Sequence, residues 1–548
     1  SRKHSLRALP SGTLNNQPCE ASMAAMFSTS YLRASGIVLL ALLAFAHGRL
    51  LAPARQSFLA VDPGQSCTSL KNEGTHFTIS LAVGTPPQLF NVVADTGSDS
   101  VIVPSCLCND AGRCDSNSSC FRGINHSSTF MLANVVEAGV VVPAANFSRG
   151  VPSVVITFGS GSIQAMVASD VVQVGSVTSE MPNGVLLMVD QALNFGGKFE
   201  GILGLGIPRS ADLEMQLTKA SPQEEALVSS KGFLQTAGIP RFSMCFNGGG
   251  EDGVLRMGPE KPSLQLGSVG QVHWGLDFRG ISVVAAKAPA ASASFLATSP
   301  EAAGAGAELR ANFCDPTKLE PGQETACGAI PDSGTTLMMG PAEHLVSLFG
   351  LICESWPKCK AAAAEQAVPG VKVIQDLLMD CESWMEKEGL DDLPTLNFHL
   401  AGSEGKEQTL TLSPNAYIME MIQEEVKYVK KSLAGVFDFM SEQPTGKMVK
   451  VCGPAFGKQV YNTKKNGPVW ILGTPIFYEY QVVYDMEATP PAISFSDQAC
   501  GDCSEAGQPA KTALVTSHGH TQRRAGAALP RQISGPPRVP NFDTSLPL

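Results

Sequence analysis

Two short acidic motifs in this sequence combine residue types and spacing that could do chemistry. Residues 95–98 read Asp-Thr-Gly-Ser after the apolar run at 92–94, and residues 332–335 read Asp-Ser-Gly-Thr after the apolar run at 329–331. One such tripeptide is weak evidence, but two in matching contexts predict two copies of one loop that meet face to face. Two carboxylates held close together share one proton, because like charges raise one pKa strongly. Such a pair could activate a water for attack on a carbonyl carbon, with the ionised member of Asp95 and Asp332 as base and the protonated member as acid.

The glycines of the two motifs fit the same interpretation. Gly97 and Gly334 have no side chain, so backbone N–H groups can come close to the carboxylates. The alternative is a pair of unrelated surface turns, for which Asp-Thr/Ser-Gly is also well suited.

The elements around the motifs indicate a mainly β protein. Residues 76–83 are β-prone, the Gly-Thr-Pro-Pro-Gln at 84–88 turns the chain, and short β-branched runs with Gly and Pro punctuation continue beyond. Helices are predicted at residues 343–351, 373–384 and 421–433.

Composition sets the broad class. The chain has 548 residues, of which 44% are hydrophobic and 16% charged, so it can bury a large core. A formal net charge of −11 without any Lys/Arg-rich run argues against a nucleic-acid partner. The nine histidines form no metal-ligand spacing, and we expect neither a metal nor a cofactor.

The chain ends carry processing signals. The apolar run at 36–46 is too short to span a bilayer comfortably and ends in Ala-Phe-Ala, the form of a signal-peptide cleavage site. We expect residues 1–25 to be upstream translation or a fragment artefact, 26–46 a signal peptide and 47–72 a propeptide or linker. An uncleaved signal anchor is the alternative. We expect no stable membrane span after cleavage, and a disordered tail at 501–548.

Several further segments resemble the pepsin-like (A1) family of aspartic proteases. Besides the two acidic loops and the turn at 84–88, the matching segments are 199–206, 393–396, 412–417, 470–473 and 478–485. The resemblance covers about residues 76–496 and implies a mainly β, two-lobed fold with a cleft between lobes at 73–268 and 269–500. It also implies a monomer that hydrolyses internal bonds of polypeptides at acidic pH, beside bulky apolar residues.

The family pattern assigns roles to the remaining site residues. Thr96 and Ser333 would reach across to the opposite loop, and Ser98 and Thr335 would bond the outer carboxylate oxygens. The segment 154–163 would be the flap, a hairpin that closes over substrate, with its tip at Phe158, Gly159, Ser160 and Gly161. Phe158 stands where the family usually has Tyr, and Ile102 stands where it often has Trp. The alternative interpretation of the hairpin at 154–163 is an ordinary surface ribbon.

Fifteen cysteines indicate a disulfide framework in an oxidising compartment. Cys106, Cys108, Cys114 and Cys120 form an enlarged loop, which resembles the Cys-rich insertions of some plant and parasite relatives. Two disulfides are favoured there over a zinc site, with the pairing open.

Other cysteines and three sequons complete the modification candidates. Cys314 could bond Cys327, and the resemblance makes Cys381 a half-cystine whose partner is Cys353 or Cys359. Glycosylation sequons begin at Asn117, Asn125 and Asn146.

Two rival functions remain open at the level of sequence. The first is a catalytically weak or inactive pepsin-fold binding or inhibitor protein, which Phe158 alone among the motif positions favours. The second is a Cys-rich interaction module, but the fixed repeats it requires are not visible. We expect an aspartic protease of this kind to follow the secretory pathway and to be secreted or delivered to an acidic vacuole or lysosome-like compartment. We also expect the segment before residue 72 to keep it inactive as a zymogen.

Overall fold

The structure, a computed structural model, describes eleven stretches of the chain. They are residues 66–114, 119–137, 140–143, 153–158, 161–193, 200–207, 231–286, 308–433, 437–503, 530–533 and 547–548.

The strands of the first half of the chain, in order, are β1 (Ser66–Asn72), β2 (Phe77–Val83), β3 (Gln88–Asp95), β4 (Val101–Pro104), β5 (Met131–Leu132), β6 (Asn134–Glu137), β7 (Val140–Pro143), β8 (Ser153–Phe158), β9 (Gly161–Val174), β10 (Val177–Leu193), β11 (Ile202–Gly204), β12 (Arg241–Cys245), β13 (Gly253–Met257) and β14 (Leu266–Gly267). Those of the second half are β15 (Leu276–Val284), β16 (Glu308–Arg310), β17 (Gly328–Pro331), β18 (Met338–Gly340), β19 (Thr395–Ala401), β20 (Glu407–Leu412), β21 (Ile418–Leu433), β22 (Phe437–Pro454), β23 (Phe456–Lys458), β24 (Asn462–Thr463), β25 (Gly467–Leu472), β26 (Gln481–Asp485), β27 (Ala492–Ser496) and β28 (Arg531–Gln532). The helices are α1 (Cys106–Asp110), α2 (Phe233–Thr236), α3 (Ala342–Ser355), α4 (Pro357–Gln366), α5 (Gly370–Met379), α6 (Glu382–Glu388), α7 (Pro414–Tyr417) and α8 (Thr474–Glu479).

The two large sheets form the two lobes of a pepsin-like fold, as predicted. The first runs β14-β27-β26-β12-β13-β1-β2-β3-β11-β4-β10-β9-β5, with β8 paired to β9. The second runs β20-β19-β15-β17-β25-β18-β23, with β16 and β24 at its sides. Strands β26 and β27 come from the range expected for the second lobe, but they pair within the first sheet. The chain therefore crosses back from the second lobe to the first after β25.

The same three-strand unit occurs once in each lobe. In the first lobe β11 lies parallel to β3 and antiparallel to β4, and in the second β25 lies parallel to β17 and antiparallel to β18. Each unit needs a glycine at the end of its middle strand. A Cβ on Gly204 would lie 2.3 Å from Ser100 N, and one on Gly473 would lie 2.2 Å from Leu337 O. This close approach explains the paired Ile-Leu-Gly segments of the sequence.

The helix predictions are only partly right. The helix at 343–351 lies within α3, but the stretch 373–384 is divided between α5 and α6 by a turn at Asp380 and Cys381. Trp384 nevertheless packs back on α5, because its indole N–H donates to Leu377 O at 2.9 Å. Among the helices of the described stretches, none has both the length and the apolar character needed to cross a membrane.

The helix predicted at 421–433 is wrong. These residues belong to β21, which pairs antiparallel with β22 in a long two-stranded hairpin, with a bulge between Glu424 and Val426. Tertiary pairing overrides helix propensity here, since β22 satisfies the backbone groups of β21 and the charged residues can stay exposed on a strand as well as on a helix. β28 adds to the same sheet, parallel to β21 at Met419 and Glu420.

Two segments expected to lie outside the fold belong in part to it. Residues 66–72, placed at the end of the propeptide or linker, form β1 between β13 and β2. Within the tail expected to be disordered, residues 530–533 include β28, and Leu548 is 2% exposed. The signal-peptide and upstream segments lie outside the described residues.

Seven disulfides connect the described cysteines. They are Cys67–Cys503, Cys106–Cys120, Cys108–Cys114, Cys245–Cys500, Cys314–Cys327, Cys353–Cys359 and Cys381–Cys452. The prediction of two disulfides in the Cys-rich loop is confirmed, as is the Cys314–Cys327 bond. The prediction that Cys381 bonds Cys353 or Cys359 is wrong. Those two cysteines bond each other, and Cys381 bonds Cys452 of β22.

Candidate active site

The two acidic motifs occupy equivalent positions in the two lobes, and their aspartates are fully buried. Asp95 is the last residue of β3 and Asp332 directly follows β17, and both are 0% exposed. In each loop the glycine N–H two residues on donates to the carboxylate, from Gly97 N to Asp95 Oδ1 and from Gly334 N to Asp332 Oδ1, both at 2.9 Å. Each loop thus fixes its own carboxylate in the same way.

The hydroxyl three residues after each aspartate fixes the other carboxylate oxygen. Ser98 Oγ donates to Asp95 Oδ2 at 2.7 Å, and Thr335 Oγ1 donates to Asp332 Oδ2 at 2.5 Å. These donors favour the ionised carboxylate and so oppose the effect of burial.

Four hydrogen bonds join the two loops to each other. Thr96 Oγ1 donates to Pro331 O at 3.0 Å and accepts from Ser333 N at 3.0 Å. In the reciprocal direction, Ser333 Oγ donates to Ala94 O at 2.8 Å and accepts from Thr96 N at 3.1 Å. Because every one of these bonds crosses between lobes, the spacing of the two carboxylates is set by the lobe contact itself.

Burial raises the pKa of both carboxyl groups, and the negative charge of Asp332 raises the pKa of Asp95 further. The Thr335 hydroxyl opposes the rise at Asp332, as the Ser98 hydroxyl does at Asp95. The pair therefore keeps one proton to a higher pH than an isolated carboxyl group would, with one member ionised and one protonated.

Comparison with known proteins agrees with this geometry. The model of the eukaryotic aspartyl protease family matches residues 76–275. The chain is similar to cathepsin D of Clupea harengus, with 22% identity over 419 residues that span 74% of this chain and 78% of that protein. It is similar to cathepsin E of Mus musculus, with 23% identity over 416 residues that span 74% and 76%. It is also similar to vacuolar protease A of Arthroderma otae, with 24% identity over 253 residues that span 42% and 58%.

The chain is thus similar to the eukaryotic aspartyl proteases over residues 76–275, and to curated aspartic proteases over most of its length. This similarity supports aspartic endopeptidase activity at a general level, and polypeptides as the substrates.

A buried tyrosine also holds the two loops, a role that the sequence did not reveal. Tyr484 of β26 is 0% exposed, and its hydroxyl donates to Pro331 O at 3.0 Å. Its ring stacks on Phe242 at 4.7 Å and contacts Trp274 at 5.0 Å. Burial raises the pKa of Tyr484 far above its usual value, so the hydroxyl stays protonated as a donor. The signal in the sequence was the apolar strand 478–485, but its contact with the second loop depends on the return of β26 to the first lobe.

The predicted hairpin at 154–163 is formed by β8 and β9, paired from Ser153↔Met166 to Phe158↔Gly161. Ile102, where the family often has Trp, is 1% exposed in an apolar cluster with Ile163 of β9 and, at its edge, Ile156 of β8. The base of the hairpin is therefore anchored by apolar packing. Gly159, Ser160 and the Phe158 side chain lie outside the described residues.

The remaining candidates are the glycosylation sequons and a group of possible metal ligands. Asn125 is exposed at a turn, whereas Asn117 and Asn146 lie outside the described residues. Cys314, Cys327 and His344 bring ligand atoms within 4.8 Å of one another. The two cysteines are bonded to each other, and Trp470 donates to His344 Nδ1 at 3.2 Å, so these atoms already have partners.

Proposed function

We propose that this protein is an aspartic endopeptidase in which Asp95 and Asp332 together activate a water. The observation that carries the proposal is the buried, cross-linked pair of loops that holds one carboxyl group from each lobe.

The reaction needs no group beyond this pair and the water. The ionised carboxylate takes a proton from the water, whose oxygen bonds to the peptide carbonyl carbon, and the protonated carboxyl donates to the developing oxyanion. The C–N bond then breaks and the nitrogen receives a proton, so that water is added across the bond as a new carboxyl group and a new amine. Since the pair must hold one proton, activity is expected in the acidic range.

A preference for bulky apolar side chains in the substrate is inferred from the resemblance to pepsin-like proteases. Closure by the hairpin of β8 and β9 would exclude water from the region around the two aspartates.

The disulfides support a secretory route for the protein. Seven bonds of this kind persist in oxidising compartments, and one relative is named a vacuolar protease. Secretion or delivery to an acidic vacuole or lysosome-like compartment fits both observations and the acidic working range.

The test is cleavage of a denatured protein by the purified, disulfide-bonded chain between about pH 3 and pH 7, with and without pepstatin. The Asp95→Ala variant should abolish cleavage, while Asp190→Asn should retain it. The control removes a half-exposed carboxylate of the same lobe, which lies 3.9 Å from Arg113. Acid-dependent, pepstatin-sensitive cleavage by the parent and the control alone is the expected result. If the folded parent cleaves nothing at any pH, the protein is an inactive member of the family that binds rather than cuts.

A further inference from the structure

Residues 530–533 form a short extended segment, the strap, which lies along β21. Its main chain is held there, since the N–H of Ile533 donates to Glu420 O at 3.0 Å. Pro530 is buried, and Ile533 is 8% exposed in a small apolar cluster with Met419. Both ends of the strap are therefore anchored, and the residue after Pro530 is held in a defined position.

Arg531 of the strap reaches α8, the short helix that follows β25. Its Nη1 donates to Thr474 Oγ1 at 3.0 Å. Its guanidinium carbon lies 4.5 Å from the centre of the Tyr478 ring, in a cation–π contact. The same ring contacts those of Phe77 and Phe246 in the first lobe, with ring centres 5.8 Å and 5.5 Å away. Arg531 therefore contacts α8 at the junction of the two lobes.

Thr474 passes this contact on to the loop of Asp332. It is 2% exposed, its N–H donates to Thr335 O at 2.8 Å, and its hydroxyl donates to Thr336 O at 2.8 Å. An arginine side chain only donates hydrogen bonds, so Thr474 Oγ1 accepts from Arg531 and keeps its own proton for Thr336 O. Thr335 in turn donates to the carboxylate of Asp332. Two residues thus separate the strap from the carboxyl pair.

The loop of Asp95 is supported differently at the equivalent place. Leu205 follows the glycine of the first Ile-Leu-Gly segment, as Thr474 follows the glycine of the second. The N–H of Leu205 donates to Asp95 O at 2.7 Å, and its side chain packs in the main core. A polar side chain that is linked to the strap thus replaces an apolar one behind the loop of Asp332.

We propose that Arg531 is a positioning residue for the aspartate pair, and that it acts through Thr474 on the loop that carries Asp332. The proposal rests on the proposed function and adds a residue to its machinery. Without the guanidinium, Thr474 loses the donor that orients its hydroxyl, and the backbone of Thr335 and Thr336 is held less firmly. Small displacements of a catalytic group reduce the rate of the chemical step. The contact lies behind the loop, so binding of the peptide should be unaffected.

The first measurement compares kcat and KM for a fluorogenic peptide in three variants of the full chain, with folding checked by urea unfolding. Arg531→Met keeps an unbranched apolar stem and removes the charge and the donors, whereas Arg531→Lys keeps a charged donor. The matched control is Gln532→Met, the exposed neighbour on the strap, which also loses a hydrogen bond, to Glu420 Oε1 at 3.3 Å.

We expect kcat to fall about tenfold in Arg531→Met and about threefold in Arg531→Lys, with KM unchanged. The control should stay within about twofold of the parent in both constants. A kcat within about twofold of the parent in either arginine variant would overturn the proposal, as would a loss that appears in KM alone. Because each arginine variant decides the question by itself, failure of one to fold leaves the other as the test.

The second measurement is a double-mutant cycle with Thr474→Val, which removes the hydroxyl that receives the Arg531 hydrogen bond. This variant should also lower kcat. Since Arg531 acts through that hydroxyl, adding Arg531→Met to Thr474→Val should lower kcat no further. If the two losses multiply, Arg531 does not act through Thr474.

The outcomes separate the two proposals. Parental kcat in a folded Arg531→Met protein would overturn the positioning role and leave the endopeptidase intact. Absence of cleavage by every folded chain, the parent included, would overturn the endopeptidase and the positioning role with it.

Discussion

Replacing Thr96 by alanine tests whether the crossed hydrogen bonds hold the two loops together. Thr96 Oγ1 donates to Pro331 O and accepts from Ser333 N, each at 3.0 Å, in a site where both hydroxyl-bearing residues are buried. Pro331 O would keep Tyr484 as a donor, but Ser333 N would lose its side-chain acceptor. One lost bond costs about 1 kcal/mol and one orphaned buried donor about 1–3 kcal/mol, so the free energy of unfolding should fall by about 2–4 kcal/mol.

Thr96→Ser is the matched control, because it keeps the hydroxyl and removes one methyl group. Its loss should be about 1 kcal/mol. Urea unfolding of the disulfide-bonded proteins measures both changes, and peptide cleavage should fall much further for Thr96→Ala than for Thr96→Ser. If the two variants unfold at free energies within about 0.5 kcal/mol of each other, the crossed bonds do not set the loop contact.

Three further predictions concern the carboxyl pair, a disulfide and a glycine. Burial raises the pKa of Asp95, so the stabilisation that its protonated form gives is complete below the unfolded pKa of about 3.9 and is lost as pH rises through the folded pKa. The urea midpoint of Asp95→Asn should therefore decline less between acidic and neutral pH than that of the parent protein. A parallel decline in the two proteins would contradict this. Replacing both Cys381 and Cys452 by serine removes a disulfide between residues 71 apart in the sequence. By the chain-entropy model, the free energy of unfolding in urea should fall by about 4 kcal/mol. A fall of less than about 1 kcal/mol would contradict this. Gly204→Ala should lower the melting temperature by several degrees, since its Cβ would meet Ser100 N at 2.3 Å, whereas Gly248→Ala, with open space around it, should not; equal melting temperatures would refute the steric argument.

The sequence predicts the loops well because their chemistry is local. Asp95 and Asp332 each stand at the end of an apolar strand, and the repeated context indicates that the two loops are copies. The cluster of Cys106 to Cys120 likewise indicates short-range disulfides, although the pairing depends on α1, which brings Cys108 near Cys114.

Features that depend on long-range pairing could not be read in the same way. Tyr484 reaches the second loop only because β26 returns to the first sheet. The stretch 421–433 has charges and apolar residues that fit either a helix or a strand, and β22 decides the outcome. Leu548 lies in an aperiodic tail, and its side chain can be buried only because Gly275 and Gly328, far apart in the sequence, leave room for it.

The most direct test of the central claim is the rate of peptide cleavage by Asp332→Asn across the acidic range. Asparagine keeps the shape of the side chain and leaves Thr335 and Gly334 in place as neighbours, but it cannot ionise or share the proton. The account predicts a fall in kcat by about 10²–10⁴-fold with the protein still folded, as expected for loss of general acid–base catalysis. A folded Asp332→Asn protein that cleaves within about tenfold of the parent rate would contradict catalysis by the aspartate pair.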